Sequence, residues 1–159
     1  MKFDLTTLKI LSRLLKDGRA THQSLAEELN FSRPAIHQRV NKLEEEGVIK
    51  GYKADVDFHK VGLTIDAFML VNMHTLNYNK VISKIMSFSQ EGIFIEEVFR
   101  ITGEKCILVR LKTSSSDRLR QLHDHMLNLK GISETNTMLV LQTESNDFNE
   151  NFVENNIEK

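Results

Sequence analysis

A single cysteine, Cys106, among 159 residues leaves no internal disulfide to form, which fits a reducing compartment. No stretch approaches the roughly 18 consecutive apolar residues of a membrane-spanning helix. The N-terminus lacks a charged-then-apolar export signal, so a cytoplasmic location is expected. There is no Gly-rich phosphate loop and no nucleophile with an evident base nearby, so no catalytic residues and no enzyme are expected. His22, His37, His59, His74, His123 and His125 form no HxxxH pair, and there is no CxxC. His123 and His125, two residues apart, point to different sides of a helix. No metal site and no cofactor are expected. Net charge is nearly absent too. Lys and Arg number 21 against 22 Asp and Glu, a balance of −1 that does not announce a nucleic-acid binder.

The charge is, however, unevenly spread. Residues 1–53 hold ten Lys/Arg against seven Asp/Glu, a net of +3. Residues 54–144 hold ten against eleven, a net of −1, and the tail from 145 holds one against four, a net of −3. A positive excess confined to the N-terminal part is what one expects if that part alone meets phosphates. At +3 a single copy binds weakly, and tight binding calls for two or more copies held together. The hydrophobic share of 40% and the charged share of 27% are ordinary globular values, enough for two small cores.

The segment from His22 to Lys42 reads as two short helices and a tight turn. Leu25, Ala26 and Leu29 share one stripe of a 3.6-residue period. Asn30 tolerates the left-handed backbone that closes a helix, and Phe31 is expected to plug the turn. Ser32 is a good N-cap, and Pro34 sits in the first turn, where its missing N–H costs nothing. The second helix is expected over about 33–46, with Ile36, Val40 and Leu43 inward and Gly47 ending it. Its outer face carries Arg33, Pro34, His37, Gln38, Asn41 and Lys42. Arg and Gln can each bond two atoms of one base edge, so Arg33, His37 and Gln38 are the candidate base readers. Ser32, Arg39 and Lys42 are better placed for phosphates, and Asn41 suits either task. An ordinary amphipathic helix pair with a solvated face would show the same pattern. A preceding helix over about 4–15 carries Leu5, Leu8, Ile10, Leu11, Leu14 and Leu15, which completes a three-helix unit. Residues 48–54 read as a short extended segment from which Lys50 and Lys53 reach phosphates.

Farther on, apolar strands are expected at 64–74, 93–101, 107–112 and 133–143. Helices fall at 77–88, with Val81, Ile85 and Phe88 on one stripe, and at 117–129, with Leu119, Leu122, Met126 and Leu129. The order βαββαβ predicts a ferredoxin-like αβ-sandwich, and the whole chain an α+β protein. Such a sheet carries helices on one face only. Met69, Val71, Val109, Leu111 and Val140 are candidates for the other face, buried by a second subunit. The tail is expected to be acidic and largely disordered; Phe148, Phe152 and Val153 could alternatively make one helical turn.

The runs LKILSRLLKDGRAT, SLAEELNFSRPAIHQRVNKLEEEGVIKGYKADVDFHKVG, VFRITGE and LKGISETNT carry a family resemblance. Over about residues 3–144 the chain resembles the Lrp/AsnC, or feast/famine, transcription regulators, and the phrase from Arg39 to Tyr52 is the most specific part. The resemblance implies a winged helix-turn-helix domain (1–53), a linker (54–63), a ligand-sensing and oligomerising domain (64–144) and a tail (145–159). It implies double-stranded DNA and further copies of the chain as partners, as a dimer, tetramer or octamer. It also implies an amino-acid-like effector held between subunits near the turn 101–106. Many members have Asp where this chain has Cys106, and a neutral Cys would hold an ammonium group poorly. A different effector, none, or a carboxylate facing Lys105 all remain open. Gly103, Glu104, Cys106, Thr135 and Thr137 are the effector candidates. The bland alternatives are a plain hairpin glycine at Gly103 and a small buried hydrophobe at Cys106. The resulting expectation is a sequence-specific regulator of transcription; the alternative is a DNA-packaging protein with weak sequence preference.

Overall fold

The computed structural model describes residues 3–74 and 77–145, so Phe148, Phe152 and Val153 lie outside the described residues. Residues up to Asp55 belong to one compact unit, and Val56–Thr143 form a second.

The first unit holds α1 (Leu5–Lys16), α2 (His22–Leu29) and α3 (Arg33–Glu45). Each begins at a side-chain cap. Asp4 accepts from the Thr7 N–H, Thr21 from Ser24 and Ser32 from Ala35. Asn30 closes α2 at φ 57°, and Phe31 N–H donates to the Ala26 carbonyl at 2.9 Å. Gly47, at φ 70°, closes α3: its N–H bonds Glu44 O and that of Val48 bonds Leu43 O, a Schellman motif. Ile10, Leu25, Ala26, Ile36 and Val40 form the core, with Ile49 packed against it from the segment after α3.

Two expectations fail in this unit. Phe31 does not plug the turn; it is 41% exposed. The leucines of α1 do not form one buried stripe, since Leu5 and Leu15 are exposed and Ile10 is the buried apolar anchor. At 3.6 residues per turn, each step of three falls about 60° behind, so Leu5, Leu8, Leu11 and Leu14 wind around the helix. The segment 48–54 pairs with no strand.

The second unit holds β1 (Ile65–Met73), α4 (Tyr78–Met86), β2 (Ile93–Arg100), β3 (Ile107–Thr113), α5 (Ser116–Leu127) and β4 (Ile132–Leu139). The strands form an antiparallel sheet in the order β2-β3-β1-β4. Residues expected in the linker make a 3-10 turn, Phe58–Val61, whose Phe58 stacks on Phe94 of the sheet. Val81 and Ile85 of α4 and Leu122 and Met126 of α5 pack onto one sheet face. That face is built from Ala67, Met69 and Val71 together with Ile107, Val109 and Leu111.

The face assignment of four residues is therefore corrected: Met69, Val71, Val109 and Leu111 lie beneath the helices. The opposite parity supplies the outer face. Phe68 pairs with Met138 and Arg110, Leu70 with Leu108 and Asn136, and Phe99 with Leu108. Val140 continues past β4, its N–H bonded to Asp66 O. In β1 apolar residues on both parities hide this distinction, whereas in β3 Arg110 and Lys112 alternate with Val109 and Leu111 and mark the outer side.

Ile36 is fully buried at the centre of the helical core. Its truncation, Ile36→Ala, should cost about 2–5 kcal/mol of that unit's stability. Urea denaturation followed by helical circular dichroism checks this; a loss below about 1 kcal/mol would mean that the stripe is not a packed anchor.

Candidate nucleic-acid interface

The inner stripe of α3 fixes which side faces out. With Ile36, Val40 and Leu43 buried, Arg33, Pro34, His37, Gln38 and Lys42 are exposed on the opposite side, and Asn41 is half-buried beside them. Arg33, His37 and Asn41 follow one another at i, i+4, i+8, as do Gln38 and Lys42 at i, i+4. Asn41 Nδ2 lies 3.2 Å from His37 Nε2. The other ring nitrogen, His37 Nδ1, lies 3.2 Å from Nδ1 of His22 on α2. Lys42 keeps a loose pair with Glu46 at 3.8 Å and a side chain that is 70% exposed. Ser32 Oγ is engaged as the cap acceptor of α3, which leaves its hydroxyl hydrogen to donate elsewhere.

Arg39 departs from its expected place. It turns from the outer face toward α1, where Nη1 lies 2.9 and 2.7 Å from the two Asp4 oxygens and 3.0 Å from Thr7 Oγ1. Its guanidinium also sits 5.9 Å from the centre of the Phe31 ring. Arg39 thus ties the start of α1 to the middle of α3. The sequence does not announce this bond, because its partners are 35 and 32 residues away.

Beyond α3, Tyr52 folds back so that its hydroxyl donates to Glu44 at 2.9 Å. Burial, and then the Glu44 carboxylate, push its phenol pKa up. Lys50 and Lys53 flank this anchor and are exposed. Ser32, Arg33, His37, Gln38, Asn41 and Lys42 therefore share one surface of the helical unit, with Lys50 and Lys53 on the segment pinned to the end of α3.

The effector candidates gather less tightly. The turn 101–106 and the start of β4 flank the end of β1: Cys106 N–H donates to Val71 O at 3.1 Å, and Thr135 pairs with Val71 from the other side. Lys105 forms an ion pair with Glu134. Gly103, at φ 111°, and Glu104 are exposed at the tip of the turn. Cys106 is half-buried, and its Sγ approaches Val71 O at 3.8 Å. The hydroxyls of Thr135 and Thr137 are buried without a hydrogen-bond partner and share the helix-covered parity with Val71 and Met69. Glu104 and these hydroxyls therefore stand apart, the former at an exposed tip and the latter under the helices.

On the outer sheet face, Asp66, Glu96, Glu97, Arg110 and Lys112 form a connected ion network, with Lys112 2.5 Å from Asp66 and Arg110 3.1 Å from Glu96. Burial acts to raise the Asp66 pKa, but bonds from Lys112 and His59 together hold it below its ordinary value. This network and the apolar residues beside it were not singled out in the sequence; strand parity becomes readable there only once β1 is paired. Among the described residues no helix is long and apolar enough to cross a membrane.

Comparison with known proteins places both units. A family described as winged helix-turn-helix DNA-binding matches residues 3–50, and the Lrp/AsnC ligand binding domain matches residues 66–149. The chain is 32% identical over 135 residues to HTH-type transcriptional regulator FL11 of Pyrococcus horikoshii, covering 85% of this chain and 87% of that protein. The structure of Escherichia coli AsnC is 26% identical with a TM-score of 0.80, over 90% of this chain and 95% of that one. A Neisseria meningitidis transcriptional regulator solved as its L-Met complex has the same fold, at 23% identity and a TM-score of 0.82, over 92% of this chain and 94% of that one. These relatives and domains are those of transcriptional regulators, not enzymes.

The Thr7 hydroxyl, then the Thr7 N–H and the Arg39 guanidinium, outweigh burial and hold the Asp4 carboxyl down at about 2. A carboxyl depressed in the folded state adds stability that is present above its unfolded value, near 3.8, and lost as pH falls through the folded one. Wild-type stability should therefore drop between about pH 4 and pH 2 more steeply than that of Asp4→Asn. Chemical denaturation across this range checks it; equal slopes would show that Asp4 is not engaged.

Proposed function

The chain belongs to the Lrp/AsnC family of transcriptional regulators, and we propose that it is a sequence-specific DNA reader that works as an oligomer in the cytoplasm and answers to an amino acid or related small molecule. The observation that carries this reading is the outward face of α3. Its buried stripe anchors the helix, while Arg33, His37 and Gln38 stand exposed near its N-terminal end, the end that usually goes deepest into a major groove. Arg33 would grip guanine and Gln38 adenine, each through two bonds, with His37 between them. Ser32, Asn41, Lys42, Lys50 and Lys53 would hold phosphates and set register. Arg39 is withdrawn from that set, because its charge is already committed to Asp4.

Assembly is supported by the outer face of the sheet. Phe68, Leu70, Leu108, Phe99 and Met138 are half-buried or exposed there, beside a network carrying both charge signs. Full burial of an exposed side chain of this kind is worth about 1.5–3 kcal/mol, and covering the part of each that is still exposed would contribute a fraction of that toward a second copy laid on this face. Two copies supply two reading heads, which offsets the weak positive charge of one. For the effector, support comes from the family and from the L-Met complex of the Neisseria protein with the same fold. The region between the turn 101–106 and the start of β4 is the proposed contact, with Gly103, Glu104, Cys106, Thr135 and Thr137 named there. With the Lys105 ammonium paired to Glu134, the exposed Glu104 carboxylate is the group of this turn that would face the ammonium of a zwitterion.

Selection of bound genomic fragments, with and without a panel of amino acids, tests sequence preference and effector response together. On a selected site, Arg33→Ala or Gln38→Ala should cost about 1–3 kcal/mol of discrimination at one base position. Equal loss on random duplex would mark both as phosphate contacts, and a wild type that prefers no fragments would favour the packaging role. A charge on the outer sheet face, Leu70→Glu, should convert the light-scattering mass from a dimer or larger to that of one 18.4 kDa chain. A wild type already running as a single chain would contradict the assembly.

A further inference from the structure

Fifteen residues separate His22 from His37 in the chain, yet their Nδ1 atoms lie 3.2 Å apart, with ring centres at 5.0 Å and a tilt of 49°. The rings are tilted rather than stacked, and the two Nδ1 atoms are within hydrogen-bonding distance, so a metal would take the place of the one proton they share. Both stand on helices that begin at side-chain caps and share one core. Thr21 caps α2 just before His22, Ser32 caps α3, and Leu25, Ala26, Ile36 and Val40 lock the two helices together. The separation of the two nitrogens is therefore a property of the helix-turn-helix itself.

A zinc ion bonds imidazole nitrogen at about 2.0–2.1 Å, and two such bonds at the tetrahedral angle place the nitrogens about 3.3 Å apart. The observed gap matches that edge. A metal-bound imidazole usually donates its remote N–H to an oxygen, which fixes the tautomer with the lone pair on the metal side. Asn41 stands beside that nitrogen, with Nδ2 3.2 Å from His37 Nε2, and a half-turn of its amide brings Oδ1 there as the acceptor. Turned with its carbonyl toward the ring, it leaves Nδ1 of His37 as the ligand atom. Among the described residues no group of three or more His, Cys, Asp and Glu side chains converges on one point, so the protein supplies two ligands.

We infer that His22 and His37, with Asn41 orienting His37, form a two-histidine chelate for a divalent ion of the zinc, nickel or copper class. Water completes the coordination. Such ions favour imidazole over the harder cations' oxygen sets. The ion bridges α2 to α3 and holds His37 to the scaffold with both ring nitrogens engaged, so that in the loaded state Arg33 and Gln38 carry the base contacts. It adds two positive charges beside Arg33 and Asn41. The consequence for DNA rests on the reading of α3 given above, but metal binding does not, and it is measured without DNA.

The test is calorimetric titration of the full-length chain with Zn2+ alone. One saturable site per chain is expected. Its affinity falls by about tenfold or more in His22→Gln and in His37→Gln, and by about tenfold in Asn41→Leu. It is unchanged in His125→Gln, whose ring stacks on Phe88 in the other unit. In the wild type, the ring signals of His22 and His37 in nuclear magnetic resonance should shift together as zinc is added, which needs no variant to fold. No saturable binding, equal affinity in His22→Gln, or ring shifts confined to other histidines would each overturn the site.

Discussion

The burial of Ile36, Val40 and Leu43 is the constraint from which the reading surface follows. An α-helix places these three positions on one stripe, and Ile10, Leu25 and Ala26 cover part of it. Once that stripe is inward, the face carrying Arg33, His37 and Gln38 has no choice but to project. The caps then set where the helix begins. Ser32 and Pro34 place Arg33 in its first turn, and Gly47 ends it with two bonded carbonyls. The Arg39–Asp4 pair adds a lateral tie to α1, holding the projecting helix by its middle.

The sheet obeys the same logic on a larger scale. Its odd positions on β1 and β3 are buried by α4 and α5; among the described residues the even positions are covered only at the end where Phe58 and His59 meet Phe94, Lys112 and Asp66. The even face is a compromise of half-buried apolar residues and a mixed-sign ion network. A protein that worked alone would gain by making this face uniformly polar. The chain instead keeps Phe68, Leu70 and Leu108 there, beside two cations, Arg110 and Lys112, that share the carboxylates of Asp66, Glu96 and Glu97. Under the proposed assembly, this face would supply the further copy that the modest charge of the helical unit calls for.

Much of this was legible in the sequence, and what was missed has a physical reason. The turn residues Asn30, Ser32, Pro34 and Gly47 act locally, so their roles follow from their types. The stripes Ile36-Val40-Leu43 and Leu122-Met126 follow from the helical period alone. Phe31 was misjudged because an aromatic in a tight turn can lie on either side of it; here it stays out, under the Arg39 guanidinium. Met69 and Val71 lie on a strand that is largely apolar on both parities, so only pairing decides their face; Val109 and Leu111 alternate with Arg110 and Lys112, and that alternation already marks them as the covered side. The bonds from Arg39 to Asp4 and Thr7 are invisible to spacing, because these partners lie 35 and 32 positions away. The meeting of His22 with His37 is invisible for the same reason. The effector candidates were named through family likeness rather than local chemistry, and Cys106 marks where this chain departs from that likeness.

The central claim is that the outward face of α3 is the surface that meets DNA. Residue-by-residue nuclear magnetic resonance of the chain, recorded as a selected duplex is added, tests it most directly. The largest changes are expected at Ser32, Arg33, His37, Gln38, Asn41 and Lys42, with lesser ones at Lys50 and Lys53. The buried methyls of Ile36, Val40 and Leu43 should stay nearly still. Changes concentrated on the sheet of the second unit, with α3 unmoved, would contradict it.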